Sequence, residues 1–139
     1  MATSTVWIAG FFDPPNRRGW GIWNYARRKG FSHCIAFSEI KDGFVLVDPH
    51  SSGLGVHYIS IEDFKVYRRA LVRWDVRCWS LEASVRPMPF FDLYNCTTVI
   101  SRLYGLPSWY KGLPLITPYR LACALQDAGA VPFNLQYWI

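Results

Sequence analysis

Two apolar runs joined by a tight turn constrain this chain more than any other feature. Phe31-Ser32-His33-Cys34-Ile35-Ala36-Phe37 opens the first run, which extends to residue 40, and Phe44-Val45-Leu46-Val47-Asp48-Pro49 forms the second. Both are rich in β-branched and aromatic residues, and Lys41-Asp42-Gly43 between them has turn composition, so an antiparallel hairpin is expected. Side chains alternate along a strand, which puts His33, Ile35 and Phe37 on one face and Cys34, Ala36 and Ser38 on the other.

Other elements arrange themselves around that hairpin. Residues 1–30 read as a lead-in, with a short strand over 5–10, a turn or extended segment over 13–16 and a short helix over 20–29 that Gly30 ends. Residues 51–55 read as a loop, 56–60 as a third strand, and 61–67 as the start of a helical or irregular crossing. Residues 70–81 resemble another strand, broken by Arg86-Pro87-Met88-Pro89. Helical spacing returns at Cys96, Val99, Ile100 and Leu103, with Gly105 as the stop. Thr117-Pro118, a capping side chain followed by proline, starts a helix over 119–128 that Gly129 terminates. The aromatic, apolar tail over 131–139 reads as a packed strand. The expected fold is α+β, an antiparallel sheet with packed helices, in a single domain over 1–139. That domain divides into the lead-in (1–30), the core (31–128) and an apolar C-terminal segment (129–139).

Composition narrows the function classes. With 51% hydrophobic and 18% charged residues the chain can build a dense core, which excludes disorder. Seven Trp, eight Tyr and nine Phe are more rings than a domain of this size hides, so an exposed apolar contact surface is expected, for a substrate or for a protein neighbour. The net charge of +5 gathers at Arg17-Arg18, Arg27-Arg28-Lys29 and Arg68-Arg69, where it keeps an aromatic-rich protein soluble. No nucleic-acid signature accompanies these clusters, so nucleic acid ranks last among partners. No run approaches the length of a membrane span. The four cysteines show no CxxC pair and no metal-like spacing with the three histidines, so neither a metal nor a cofactor is expected. Met1-Ala2-Thr3-Ser4-Thr5 lacks the charged and apolar regions of a secretory signal, and reduced cysteines in a cytoplasm-like compartment are expected.

One set of residues carries chemistry. Cys96 stands at a helix start, with Asn95 before it and Thr97-Thr98 after it. A helix N-terminus has partial positive charge and free N–H groups, so it favours thiolate over thiol and can hold an oxyanion, with the Cys96 backbone N–H as a donor. A base and its orienter complete a thiol-nucleophile site, and the hairpin offers both, His33 at the start of one strand and Asp48 near the end of the other. With a tight turn the positions opposite His33 fall near 49–51, and a single bulge would bring Asp48 alongside. Asp48 and His50 share a face, which makes His50 the alternative third member. Cys34, Cys78 and Cys123 read as core cysteines, and His57 as structural.

The block His33…Asp48-Pro49 resembles the His and Asp strands of transglutaminase-like and arylamine-acetyltransferase-like cysteine enzymes. In those families the cysteine helix comes first, whereas here it follows. That order looks like the circularly permuted papain-like group related to NlpC/P60 peptidases and the lecithin:retinol acyltransferase family. The segment Asn95-Cys96-Thr97-Thr98-Val99-Ile100-Ser101-Arg102-Leu103-Tyr104-Gly105, followed by Thr117, Pro118, Tyr119 and Leu121, is similar to the helices of small phage-encoded proteins of this permuted type. The resemblance covers roughly residues 31–128. It departs from NlpC/P60 peptidases in lacking an Asp-Cys-Ser-Gly-like setting, and from the permuted acyltransferases in offering Asp48 where they use a second histidine. The resemblance implies a cysteine peptidase, amidase or acyl transferase acting on a peptide or peptidoglycan-like substrate, in the host cytoplasm or the virion. The alternative is an inactive papain-like component of a virion or tail that binds other virion proteins.

Overall fold

The computed structural model describes residues 5–14, 28–50, 53–83 and 95–137. Six strands form one antiparallel sheet: β1 (Thr5–Phe12), β2 (His33–Ile40), β3 (Gly43–His50), β4 (Gly53–Ser60), β5 (Arg77–Ala83) and β8 (Val131–Phe133). Their order is β4-β3-β2-β1-β5-β8, and every neighbouring pair is antiparallel. A short hairpin, β6 (Trp109–Tyr110) and β7 (Leu113–Pro114), stands apart. Three helices are described: α1 (Ile61–Arg73), α2 (Cys96–Leu103) and α3 (Pro118–Asp127). The fold is α+β with helices packed on an antiparallel sheet.

Alternation along β2 sorts the core into two layers. Cys34 and Ala36, with Phe11 and Val47, pack under Val99, Ile100, Leu121 and Leu125 of α2 and α3. Ile35 and Phe37, with Phe12, Phe44 and Leu46, pack under Phe64 and Leu71 of α1. Being covered on both faces, β2 is buried at five successive positions, 34–38, four of them apolar, and this is why its sequence reads so plainly as a strand.

The hairpin turn is tighter than expected. Gly43 pairs with Ile40, which leaves Lys41-Asp42 as a two-residue turn. A Cβ on Gly43 would lie 2.3 Å from the Ile59 carbonyl oxygen of β4, so only glycine lets β3 and β4 approach there. Residues 53–55, expected in a loop, are strand and pair with β3 from Gly53↔His50 onward.

The larger correction concerns residues 70–81. The apolar run beginning at Ala70 belongs to α1 as far as Arg73, and β5 starts only at Arg77. Ser60 caps α1 by accepting from the Asp63 N–H, acidic Glu62 and Asp63 occupy the first turn, and Phe64 and Leu71 lie on its buried face. Asp75, at φ 56°, turns the chain from helix to strand.

Elsewhere the expected boundaries hold closely. α2 runs from Cys96 with Gly105 beyond it at φ 65°, and α3 has Thr117 as its cap and Pro118 in its first turn. The tail forms β8 and then a 3₁₀ turn, Leu135–Tyr137, rather than one strand. Most of the expected helix over 20–29, the proline break at 86–89 and Ser51-Ser52 lie outside the described residues.

Candidate active site

β2 begins at His33 because the chain before it is clamped. The Asp13 carboxylate, just past the end of β1, accepts the N–H of Gly30 at 2.7 Å and of Ser32 at 3.2 Å, together with the Ser32 hydroxyl. Two residues carry no ladder and the third, His33, pairs with Phe12 of β1. The imidazole therefore sits at the end of a central strand, where the two core layers meet.

His33 Nε2–H donates to Asp48 Oδ1 at 2.7 Å. The β2–β3 register shows how the two meet. Ala36 opposes Val47 and Phe37 opposes Leu46, so continuing the ladder puts His50 opposite His33 and Asp48 one diagonal step away. The expected bulge is not used, because a diagonal pair on one face lies within reach of long side chains. His50 leans the other way: its Nε2 lies 3.4 Å from where a Cβ would sit on Gly55 of β4, on the far side of β3 from β2. His57 Nε2 approaches that same point at 2.8 Å.

His33 and Cys96 each favour the other's charged form, through hydrogen bonding and through charge. Cys96 is the first residue of α2, with Asn95 as the cap. Asn95 Oδ1 accepts the Thr98 N–H at 2.9 Å, and the Thr98 hydroxyl accepts the Asn95 N–H at 3.0 Å. This reciprocal box satisfies two of the amide groups that a helix start leaves over, and the two between them are the N–H groups of Cys96 and Thr97. Asn95 Nδ2 also donates to the Ile116 carbonyl at 3.1 Å, which ties the start of α2 to the chain entering α3.

A fourth member was missed at the sequence level. Cys34, fully buried on β2, is the strongest influence favouring the Cys96 thiolate, through hydrogen bonding from its side chain and, more weakly, its main chain. The only sequence signal was its adjacency to His33. Neighbouring strand residues point to opposite faces, so the first two described residues of β2 that flank the thiol reach it from two sides.

These contacts set the charge states. The Cys96 thiol is pulled down to about 4, first by the Cys34 thiol, then against its own burial by the hydrogen bond and charge of His33. Burial on its own would push the His33 imidazolium down, but Asp48 first and Cys96 second lift it to about 9. The ring's burial has a visible source in Phe12, which meets it edge-on at 5.5 Å and itself stacks on Trp74. Cys34 is pushed well above the usual thiol range by burial and by the neighbouring Cys96 charge, so it stays a thiol and a donor. Near neutral pH the site holds a thiolate and an imidazolium, with a carboxylate behind the ring and two amide N–H groups at the helix start. Such an arrangement can attack a carbonyl, hold the oxyanion and return a proton to a leaving group.

Among the described residues no group of three or more His, Cys, Asp or Glu is arranged to hold a metal ion, and no helix is long and apolar enough to cross a membrane. No protein-family model matches the sequence, and neither a curated protein nor a solved structure matches it.

Proposed function

We propose that this chain is a thiol-nucleophile hydrolase or acyl transferase acting on an amide or ester, with a permuted papain-like fold of the NlpC/P60 kind. The observation that carries the reading is the His33–Asp48 hydrogen bond together with the mutual support of the His33 and Cys96 charges, with Cys96 at a helix N-terminus. Cys96 attacks the carbonyl. The His33 imidazolium protonates the leaving amine or alcohol and then, as the neutral base, activates water or the acceptor. Asp48 holds the ring and stabilises its charge, and the Cys96 backbone N–H donates to the oxyanion. The order of the parts in the chain, His33 and Asp48 before Cys96, supports a permuted arrangement. A peptide or peptidoglycan-like cross-link in a phage context, in the host cytoplasm or the virion, is the substrate class this reading carries.

Two measurements test it. Iodoacetamide near neutral pH should modify Cys96 first of the four cysteines, ahead of the comparably half-buried Cys123, and His33→Ala should slow that reaction. An activated ester such as p-nitrophenyl acetate should give a burst of about one equivalent per chain, absent in Cys96→Ala. A Cys96 no faster than Cys123, with no burst, overturns the proposal.

One observation favours the non-catalytic reading, a papain-like module in a virion or tail. Leu54, Val56 and Tyr58 are all more than half exposed on β4, an edge strand of the sheet. Such a row suits burial against a neighbouring subunit. The burst assay separates the two readings, because a purely structural module gives none.

A further inference from the structure

We propose that Cys96 and Cys34 form a dithiol site that reacts with hydroperoxides, Cys96 taking the oxygen and Cys34 resolving the product as a Cys34–Cys96 disulfide. Acyl chemistry uses Cys34 only as a hydrogen-bond donor, so this reaction goes beyond that reading.

The placement of the four cysteines selects this pair. Cys96 is half-buried and packs against the buried cluster that contains Cys34. Cys78 belongs to the cluster on the opposite face of the sheet, and Cys123 contributes to neither. Cys34 is fully buried in the cluster that Cys96 packs against, and it is the group that most favours the Cys96 thiolate. A hydroperoxide therefore meets Cys96 first, and the only thiol within reach of the product is Cys34.

The chemistry balances without a metal or cofactor. The Cys96 thiolate attacks the distal oxygen of the hydroperoxide, an S–O bond forms and the O–O bond breaks. Sulfur is oxidised by two electrons to the sulfenic acid, the peroxide is reduced to an alcohol or water, and the His33 imidazolium protonates the departing oxygen. Cys34 sulfur then attacks the sulfenic sulfur, an S–S bond forms, and the hydroxyl leaves as water with the Cys34 proton. Closing the two sulfurs to the about 2.05 Å of a disulfide draws the first residue of α2 toward β2. A dithiol reductant reverses the step. The cross-link masks the nucleophile and protects it from sulfinic acid, which is not reversed by thiols.

The test uses the full chain, reduced and then exposed to one equivalent of hydrogen peroxide at pH 7. Remaining thiols are capped with iodoacetamide under denaturing conditions, and the product is read by intact mass and a non-reducing peptide map. The expected result is two caps instead of four, a peptide linking Cys34 to Cys96, and four caps again after dithiothreitol. Cys34→Ser should give no cross-link and a dimedone adduct on Cys96. A disulfide to Cys78 or Cys123, a link between two chains, or wild-type Cys96 carrying dimedone or sulfinic acid while Cys34 is capped overturns the proposal, whatever the variant does. A chain that cross-links but gives no ester burst keeps this inference and loses the hydrolase reading. The converse result keeps the hydrolase and loses this inference.

Discussion

Asp48→Asn isolates the interaction on which the ion pair depends most. The substitution keeps the shape of the side chain and a hydrogen-bond acceptor for Nε2–H, but removes the charge. Of the contacts that raise the His33 imidazolium, the bond to Asp48 is the largest, ahead of both contributions from Cys96. An opposite charge in contact shifts a titrating group by about 1–3 units. The Asp48 side chain is 34% exposed against 15% for His33, so solvent screens part of this and the lower end applies. His33 should then titrate about one unit below its value of about 9, equivalent to about 1.4 kcal/mol between its two charge states. With less positive charge on the ring, the Cys96 thiolate should form at higher pH. Two assays read the two ends of the pair: the ring proton shifts of His33 by NMR, and thiolate absorbance near 240 nm, each followed across pH 3–10. His50→Ala should leave both curves in place, since its imidazole lies over Gly55. If the His33 titration stays put in a folded Asp48→Asn chain, or moves instead in His50→Ala, the assigned orienter is wrong.

Three further outcomes follow from the same geometry. Stability should rise with pH from about 4 to 6.5, because the folded chain holds the Cys96 thiolate with a protonated His33, whereas the unfolded chain, with ordinary values of 9.0 and 6.5, binds one proton more. From 6.5 to about 9 the two states bind equal numbers and the pair's contribution is flat; above 9 stability should fall, since burial keeps Cys34 and Cys78 protonated only in the folded chain. Urea midpoints at pH 4.5, 6.5, 8.5 and 10 test this, and Cys96→Ala should flatten the acid limb. Asn95→Ala removes the side-chain acceptor of the Thr98 N–H, while the backbone N–H at 95 can still donate to the Thr98 hydroxyl, and should cost about 1 kcal/mol in urea unfolding, with a slower Cys96 alkylation as the helix start loosens. Phe64→Ala empties a ring that is 1% exposed and stacks on Phe44 at 3.8 Å, and should cost about 3–5 kcal/mol by the same measurement without altering the Cys96 titration.

What the sequence made legible was local and self-consistent. The hairpin could be read because β2 is covered on both faces, so composition and the turn agreed on one answer. α2 and α3 could be read because Asn95 and Thr117-Pro118 mark their starts and Gly105 and Gly129 lie just past their ends. Residues 70–73 could not, since Ala70-Leu71-Val72-Arg73 is short and apolar, and periodicity alone does not separate a strand from a buried helical turn. The deciding information lay upstream, in the Ser60 cap and the seven-residue step from Phe64 to Leu71 that keeps both on one helix face. Residues 53–55 failed for the opposite reason. Two glycines read as punctuation, yet the edge of β3 supplies a ladder for them, and Gly55 is where the His50 and His57 rings crowd.

The site was legible in its parts and opaque in its coupling. His33, Asp48 and Cys96 each had an ordinary structural role open to them when taken singly, and the residue that ties the thiol down, Cys34, carried no signal beyond its position. The coupling arises from the place where the strand begins. An imidazolium walled by Phe12 is unfavourable on burial grounds alone, and is held only because a carboxylate and a thiolate flank it. The thiolate is equally unfavourable in its half-buried position, and is held because the Cys34 thiol donates to it and the imidazolium stands beside it. Removing any one charge weakens the case for the others, and Cys96 and His33 titrate as a coupled pair. A unit of this kind has no signature in the identity of single residues. It exists only when the Asp13 clamp starts β2 at His33 and the Asn95 cap starts α2 at Cys96, which brings the two chain segments to the same end of the sheet.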